Sequence, residues 1–310
     1  EEGNVAFIAQ SGGLAMKFSQ FGTMYGINFS KVVSFGNGAD IDFTDFLHYL
    51  AHDPHTDIIT AYLEGIRDGS KFLEIVRDPT FRKPFIIWKA GKTKTGARAA
   101  ASHTGSMAGD NTMWEAIFKQ NGIVGVDSFE ELLETLLLFR LAPESGPKVA
   151  IVTGGGGAGV SATDLCANVG LDVPELSPKT CKRLREFVPH SGTSVKNPVD
   201  MAANAMNVDA NIKVIEIVAE DENVDTLMVL GTPEAVRAKD FTEGLIQNKN
   251  NFKKPVLPVM PIISGEMIDI HKTLSKHFPV FLSEESTARA LANLITYQKK
   301  KILFPKNETK

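Results

Sequence analysis

The chain has 310 residues, 43% of them hydrophobic and 23% charged, which is the composition of a globular protein large enough for two ordinary domains. A formal net charge of -4 supplies no concentrated basic face for nucleic acid or an anionic membrane. No apolar run approaches the ~18 residues of a membrane span and the N-terminus lacks a signal-peptide pattern, so a cytoplasmic protein is expected.

In chain order, the first element is a buried strand at Val5-Ala6-Phe7-Ile8-Ala9, reached with almost no lead-in, as expected of a piece of something longer. It breaks into Gln10-Ser11-Gly12-Gly13 and a helical pattern. Further strands are expected at Asp57–Leu63 and Lys83–Trp88. A helix follows at about Thr112 to Gln120, ended by Asn121-Gly122, then a strand Ile123–Val126 and a helix opened by Ser128, with Glu131 completing a capping box. Ala142–Pro147 breaks both periodicities and is expected to separate two domains, 3–143 and 147–300.

Beyond that break the chain resembles itself. Val149–Thr153 with Gly154-Gly155-Gly156-Gly157 aligns with Val5–Gly13, Asp225–Leu230 with Asp57–Leu63, and Lys254–Val259 with Lys83–Trp88. Each copy reads strand, helix, strand, helix, strand, and continuously apolar strands suit a parallel sheet covered on both faces. The fold class expected is α/β, with two flavodoxin-like, doubly wound parallel-sheet domains. Ser177 to Asn204 reads as an insertion in the second copy, holding a basic helix and the turn Asn197-Pro198.

Glycines where a strand ends and a helix begins leave unpaired N–H groups at the positive end of a helix dipole, a place suited to an anion. Two such turns at equivalent points of a repeat point to phosphate more than to close packing alone. Other patterns compete for the same residues. Gly154 to Gly159 satisfies G-x-G-x-x-G with Glu175 near the place of a ribose-binding acid, although four consecutive glycines match many patterns by accident. Ala9-Gln10-Ser11-Gly12-Gly13 is one substitution from a nucleophile elbow, which keeps a serine hydrolase using Ser11 as an alternative. Gly91-Lys92-Thr93 resembles the tail of a P-loop but lacks the upstream glycine. Cys166 and Cys181 sit in helical segments with no metal-ligand spacing or redox pair, so reduced, unreactive thiols and no metal site are expected.

Six of the seven histidines have bland settings: His48, His52 and His55 on a helix and its exit, His190 in the insertion, and His271 and His277 flanking a surface-type helix. His103 differs. It follows the strand ending at Trp88, after a loop Lys89–Arg98 with four cations and a run of small residues, Ala99-Ala100-Ala101-Ser102-His103-Thr104-Gly105-Ser106. Small neighbours leave the imidazole unobstructed, and cations favour an anionic visitor. A mobile surface loop is the bland alternative.

Taken together, Phe7–Gly13, Ser34-Phe35-Gly36-Asn37-Gly38, Leu63-Glu64-Gly65, Ser102–Ser106, the Gly154–Gly157 run and Asn197-Pro198-Val199-Asp200 resemble the ADP-forming acetyl-CoA synthetase family, relatives of succinyl-CoA synthetase. The resemblance implies an NDP-forming acyl-CoA synthetase, an acid–thiol ligase. It interconverts acyl-CoA, phosphate and ADP with a carboxylic acid, CoA and ATP through an acyl phosphate and a phosphohistidine. His103 matches the phosphorylated residue and Glu64 the carboxylate that orients it. Ser11, Gly12, Gly13, Gly155, Gly156 and Gly157 match paired helix N-termini that grip one phosphoryl group. Gly36 and Asn37 match a loop near the thioester. CoA and ATP or ADP with Mg are implied as substrates rather than tightly bound cofactors. An N-terminal CoA-binding domain and an ATP-grasp subunit or domain are implied as partners, with a small carboxylic acid as substrate and oligomeric assembly. A non-catalytic CoA- or nucleotide-binding scaffold of the same fold is the remaining alternative.

Overall fold

Continuously apolar runs become central parallel strands in this computed structural model, which describes residues 3–104, 110–231 and 235–303. Among them, 3–136 with 296–303 form one compact unit and 137–295 the other. No helix among the described residues is long and apolar enough to cross a membrane.

The first unit runs β1 (Val5–Ala9), α1 (Gly12–Met24), β2 (Phe29–Ser34), α2 (Phe43–His52), β3 (Ile58–Leu63), α3 (Gly69–Arg77), β4 (Phe85–Lys89), α4 (Lys94–Thr104), α5 (Asn111–Asn121), β5 (Val124–Val126) and α6 (Phe129–Leu141). Its five parallel strands lie in the order β2-β1-β3-β4-β5, the flavodoxin-like order. Both faces are covered. Phe7 packs on Phe18 of α1, 4.2 Å between centroids, and Phe18 on Phe129 of α6. On the other face Ala6, Ile8, Ile59, Ala61, Phe85 and Ile87 meet Leu47, Phe72 and Trp114 of α2, α3 and α5.

The second unit takes in the end of α6 from Leu137 and runs β6 (Val149–Thr153), α7 (Gly156–Asn168), α8 (Pro178–Leu184), β7 (Val199–Asp200), a short 3₁₀ turn, α9 (Val208–Ala219), β8 (Thr226–Leu230), α10 (Ala235–Asn248), β9 (Val256–Val259), α11 (Gly265–Leu274) and α12 (Glu284–Leu303), the last of which belongs to the first unit from Thr296 on. Its strand order, β7-β6-β8-β9, repeats the first four positions of the other sheet. Where β5 would follow there is a single parallel bridge, Val259 to Phe281.

Four sequence expectations are corrected. Each copy has an edge strand that a search for apolar runs misses: β2 is only half-buried and β7 is two residues long. Ser177–Asn204 is therefore no insertion, since it contains β7, which pairs with β6 as β2 pairs with β1. The Asn197 side chain extends that short edge by donating to Val149 O (2.8 Å) and accepting from Ile151 N (2.9 Å). The segment Lys89–Arg98 is a loop only to Thr93; Thr93 Oγ1 accepts from Gly96 N and the alanine-rich run after it is helical. Helix α11 is not a surface-type helix, because Met267, His271 and Leu274 are buried. At the start of α6, Ser128 Oγ accepts from Glu131 N and Glu131 Oε2 accepts from the Asp127 N–H.

Candidate functional site

Parallel strands deliver their last residues to one edge of the sheet, and in open α/β folds ligands bind there. In the first unit this edge is joined by side chains. Gln10, just past β1, accepts through Oε1 from the N–H groups of Glu64 and Gly65 (3.1 Å to Gly65) at the end of β3. Glu64 is 6% exposed, and Tyr62 donates to its Oε1 at 3.1 Å. Burial and the neighbouring Glu64 carboxylate push the Tyr62 hydroxyl up to about 12, so it stays a donor at any physiological pH. Tyr62 is held by its pair across the sheet, Trp88, edge-on at 4.8 Å.

Lys89, the last residue of β4, is 2% exposed and donates to the carbonyls of Glu64 (2.8 Å) and Ala90. The sequence pattern places it among the four cations of the loop Lys89–Arg98. The signal was there, since a lysine continuing a buried apolar run has to find carbonyls or carboxylates to bind. Of the other cations, Lys92 pairs with Asp127, while Lys94 and Arg98 are exposed on α4.

Helix α1 begins at Gly12, so Gly12 and Gly13 have no carbonyl four residues earlier in the helix to bind; both are exposed. Ser11 is the N-cap, its Oγ accepting from Leu14 N at 3.4 Å. Among the described residues no hydrogen bond joins Ser11 to a histidine. In the second unit Gly155 caps α7 without a side chain, and Gly155, Gly156 and Gly157 are exposed.

The glycines divide by what a Cβ would meet. At Gly154 it would come 2.8 Å from Ala205 Cβ, at Gly156 2.9 Å from Asp200 Oδ2 and at Gly159 3.1 Å from Pro198, so these permit close packing. At Gly13, Gly155 and Gly157 it would meet no described atom within 4 Å, and none of the three has positive φ. At Gly13 and Gly157, inside the first turn, neither packing nor backbone conformation calls for glycine, although alanine is a better helix former by ~1 kcal/mol, while at Gly155, the N-cap, glycine is itself a favoured residue. What the missing side chains preserve is open space at two helix N-termini.

Gly36 and Asn37 lie on the turn after β2, with Gly36 at φ +58° and Gly38 at φ +59°. Arg67, three residues after Glu64, donates to Gly38 O at 2.5 Å and ties this turn to the end of β3. Backbone geometry places His103 in the final turn of α4, which starts five residues after β4 ends. Its side chain and Gly105–Ser106 lie outside the described residues. The dinucleotide pattern loses its acid: Asp172 bridges Lys148 at the amino end of β6, and Glu175 O accepts from Asn223 before β8, so Glu175 sits at the edge opposite the glycine turn.

Residues 2–139 match the family described as succinyl-CoA ligase like flavodoxin domain, and residues 149–240 the ligase-CoA domain. The chain is 37% identical to acetate–CoA ligase (ADP-forming) I of Archaeoglobus fulgidus, over 96% of this chain and 42% of that protein. It is 38% identical to the α subunit of acetate–CoA ligase (ADP-forming) II of Pyrococcus furiosus, over 96% of this chain and 66% of that subunit. Among solved structures, dinucleotide forming acetyl-coenzyme A synthetase 1 of Ca. Korarchaeum cryptofilum, in complex with phosphate and ADP, superposes with a TM-score of 0.85 at 32% identity, covering 100% of this chain and 68% of that one. The chain thus spans from about two fifths to two thirds of the length of these relatives.

Proposed function

The chain belongs to the ADP-forming acetyl-CoA synthetase family, and from that premise we propose that it is the phosphohistidine-bearing part of an acyl-CoA synthetase in which His103 accepts the phosphoryl group. The observation that carries this reading is the space kept at Gly13 and Gly157, where no described residue requires glycine and each exposed helix start can offer N–H groups to an anion. Each helix end contributes about 0.3–2 kcal/mol toward a bound phosphate, depending on burial.

The chemistry runs through three group transfers. A phosphate oxygen attacks the thioester carbonyl and expels CoA as thiolate, leaving an acyl phosphate. An imidazole nitrogen of His103 then attacks phosphorus and the carboxylate departs. ADP takes the phosphoryl group from histidine to give ATP, and the cycle is reversible. Glu64, anchored by Gln10 and Tyr62, accepts the other imidazole N–H and stabilises the ring as it becomes cationic. Gly36 and Asn37 border the thioester. The nucleotide, as its Mg complex, is assigned to an ATP-grasp domain or subunit, and most of the CoA contact to a CoA-binding domain. The acid is a small carboxylate.

The test is incubation of the complete ligase with γ-labelled ATP. Wild type is expected to acquire acid-labile, base-stable label on this chain. His103→Ala abolishes it, and Glu64→Gln slows it about tenfold to a hundredfold with the fold intact. No label on wild type in an otherwise active assembly moves the assignment to a non-catalytic CoA- or nucleotide-binding scaffold.

A further inference from the structure

Lys89 is buried at the carboxyl edge, where the proposed chemistry gives it no part. Taking an ammonium out of water is costly unless it is paired. Here its donors go to the carbonyls of Glu64 and Ala90, and it lies 5.4 Å from the centre of the Trp114 ring. The second sheet shows that the fold itself does not need it. In the two registers Tyr62 opposes Trp88 and Leu230 opposes Val259, so Lys89 and Met260 occupy the same place one residue on. Met260 is fully buried, and its sheet is built in the same order without a cation there.

We propose, resting on the phosphohistidine reading above, that Lys89 is a positioning residue: its ammonium ties the end of β4 to the backbone of Glu64 and holds that carboxylate in place for His103. The groups around it are the Glu64 carboxylate from β3, Lys92 from the following loop, and the neutral Trp114 ring from α5. Burial pushes the ammonium down to about 8, with Lys92 acting in the same direction and Glu64 opposing both. The tie is therefore charge-assisted below about pH 8 and weakened above it.

The experiment follows label on His103 in the complete ligase across pH 6 to 10 for wild type, Lys89→Met and Lys89→Arg, with a thermal melt of each. Lys89→Met is expected to melt at or above the wild-type temperature while labelling falls about tenfold to a hundredfold. Wild-type labelling should decline above about pH 8. Lys89→Arg should retain most of the rate and lose that decline, because its guanidinium does not titrate there. Labelling of Lys89→Met at the wild-type rate, or its failure to fold, overturns the proposal, as does a decline above pH 8 that persists in Lys89→Arg. Absence of label on wild type defeats the phosphohistidine reading itself, and is seen separately in that arm.

Discussion

The two sheets are alike at their amino edges and unlike at their carboxyl edges. At the amino edge the same device occurs twice. Lys83, before Pro84 and β4, donates to the carbonyls of Leu50 and Asp53, both at 2.6 Å; Lys254, before Pro255 and β9, donates to those of Asp221 and Val224. In each case the helix before the adjacent strand, α2 before β3 and α9 before β8, ends near an aspartate that gathers donors. Asp53 takes them from Lys31, Thr56 and the His55 N–H, and Asp221 from the N–H groups of Ser177 and Asn223. Burial alone would raise both carboxyls, yet these bonds hold them down, Asp53 to about 2.

At the carboxyl edge the register equivalents of Gln10, Tyr62 and Lys89 are Gly154, Leu230 and Met260. Among the described residues the two sheets share their supports, and the polar network of Gln10, Tyr62, Glu64 and Lys89 has no counterpart at the matching places in the second. The edge that differs is the one where open α/β sheets place their ligands, so the difference reflects chemistry rather than folding.

The largest effect that could sharpen this contrast comes from pH. The second unit's strongly shifted histidine, His271, lies in α11, and burial lowers it to about 4 from the ordinary 6.5. A neutral imidazole in the fold contributes stability that is complete above pH 6.5 and lost as pH falls toward 4, about 3 kcal/mol in all. Both tryptophans, Trp88 and Trp114, belong to the first unit. Melting followed by circular dichroism should therefore fall between pH 6.5 and 4 further than melting followed by tryptophan fluorescence, and His271→Leu should close the gap. Coincident melts at every pH would break the comparison.

The matched lysines come next. Lys83→Met and Lys254→Met should each cost about 2 kcal/mol, the range for charge-assisted bonds to carbonyls, and by similar amounts in denaturant unfolding. A loss from one alone would show that the shared geometry hides different roles. The smallest effect is at the open glycines. Gly13→Ala and Gly157→Ala should add up to ~1 kcal/mol of stability and still slow phosphorylation of His103. Normal labelling in both would mean that the space there serves no ligand.

Much of this was legible along the chain because it is local or periodic. Apolar strands such as Val5–Ala9 and Val149–Thr153, their glycine turns and the repeat that pairs them follow from side chains in chain order. The same is true of Asn121-Gly122, where Gly122 takes φ +71° to end α5. The edge strands were not legible. β2 is bound on one side only, and β7 leans on an asparagine side chain, so neither needs an apolar run.

The sequence by itself determined two flavodoxin-like sheets, an anion-ready turn in each and the histidine and glutamate of the proposed site, since helix starts, buried strands and motif residues are written contiguously. Only the tertiary structure decided that Lys89 is a buried tie rather than a loop cation, that Gln10 clasps Glu64, and that Gly13 and Gly157 guard empty space while Gly154 and Gly159 fill close contacts. The physical reason is that a side chain's partner, or a missing side chain's neighbour, is brought in from another strand when the sheet assembles: Glu64 meets Gln10 across 54 residues of chain.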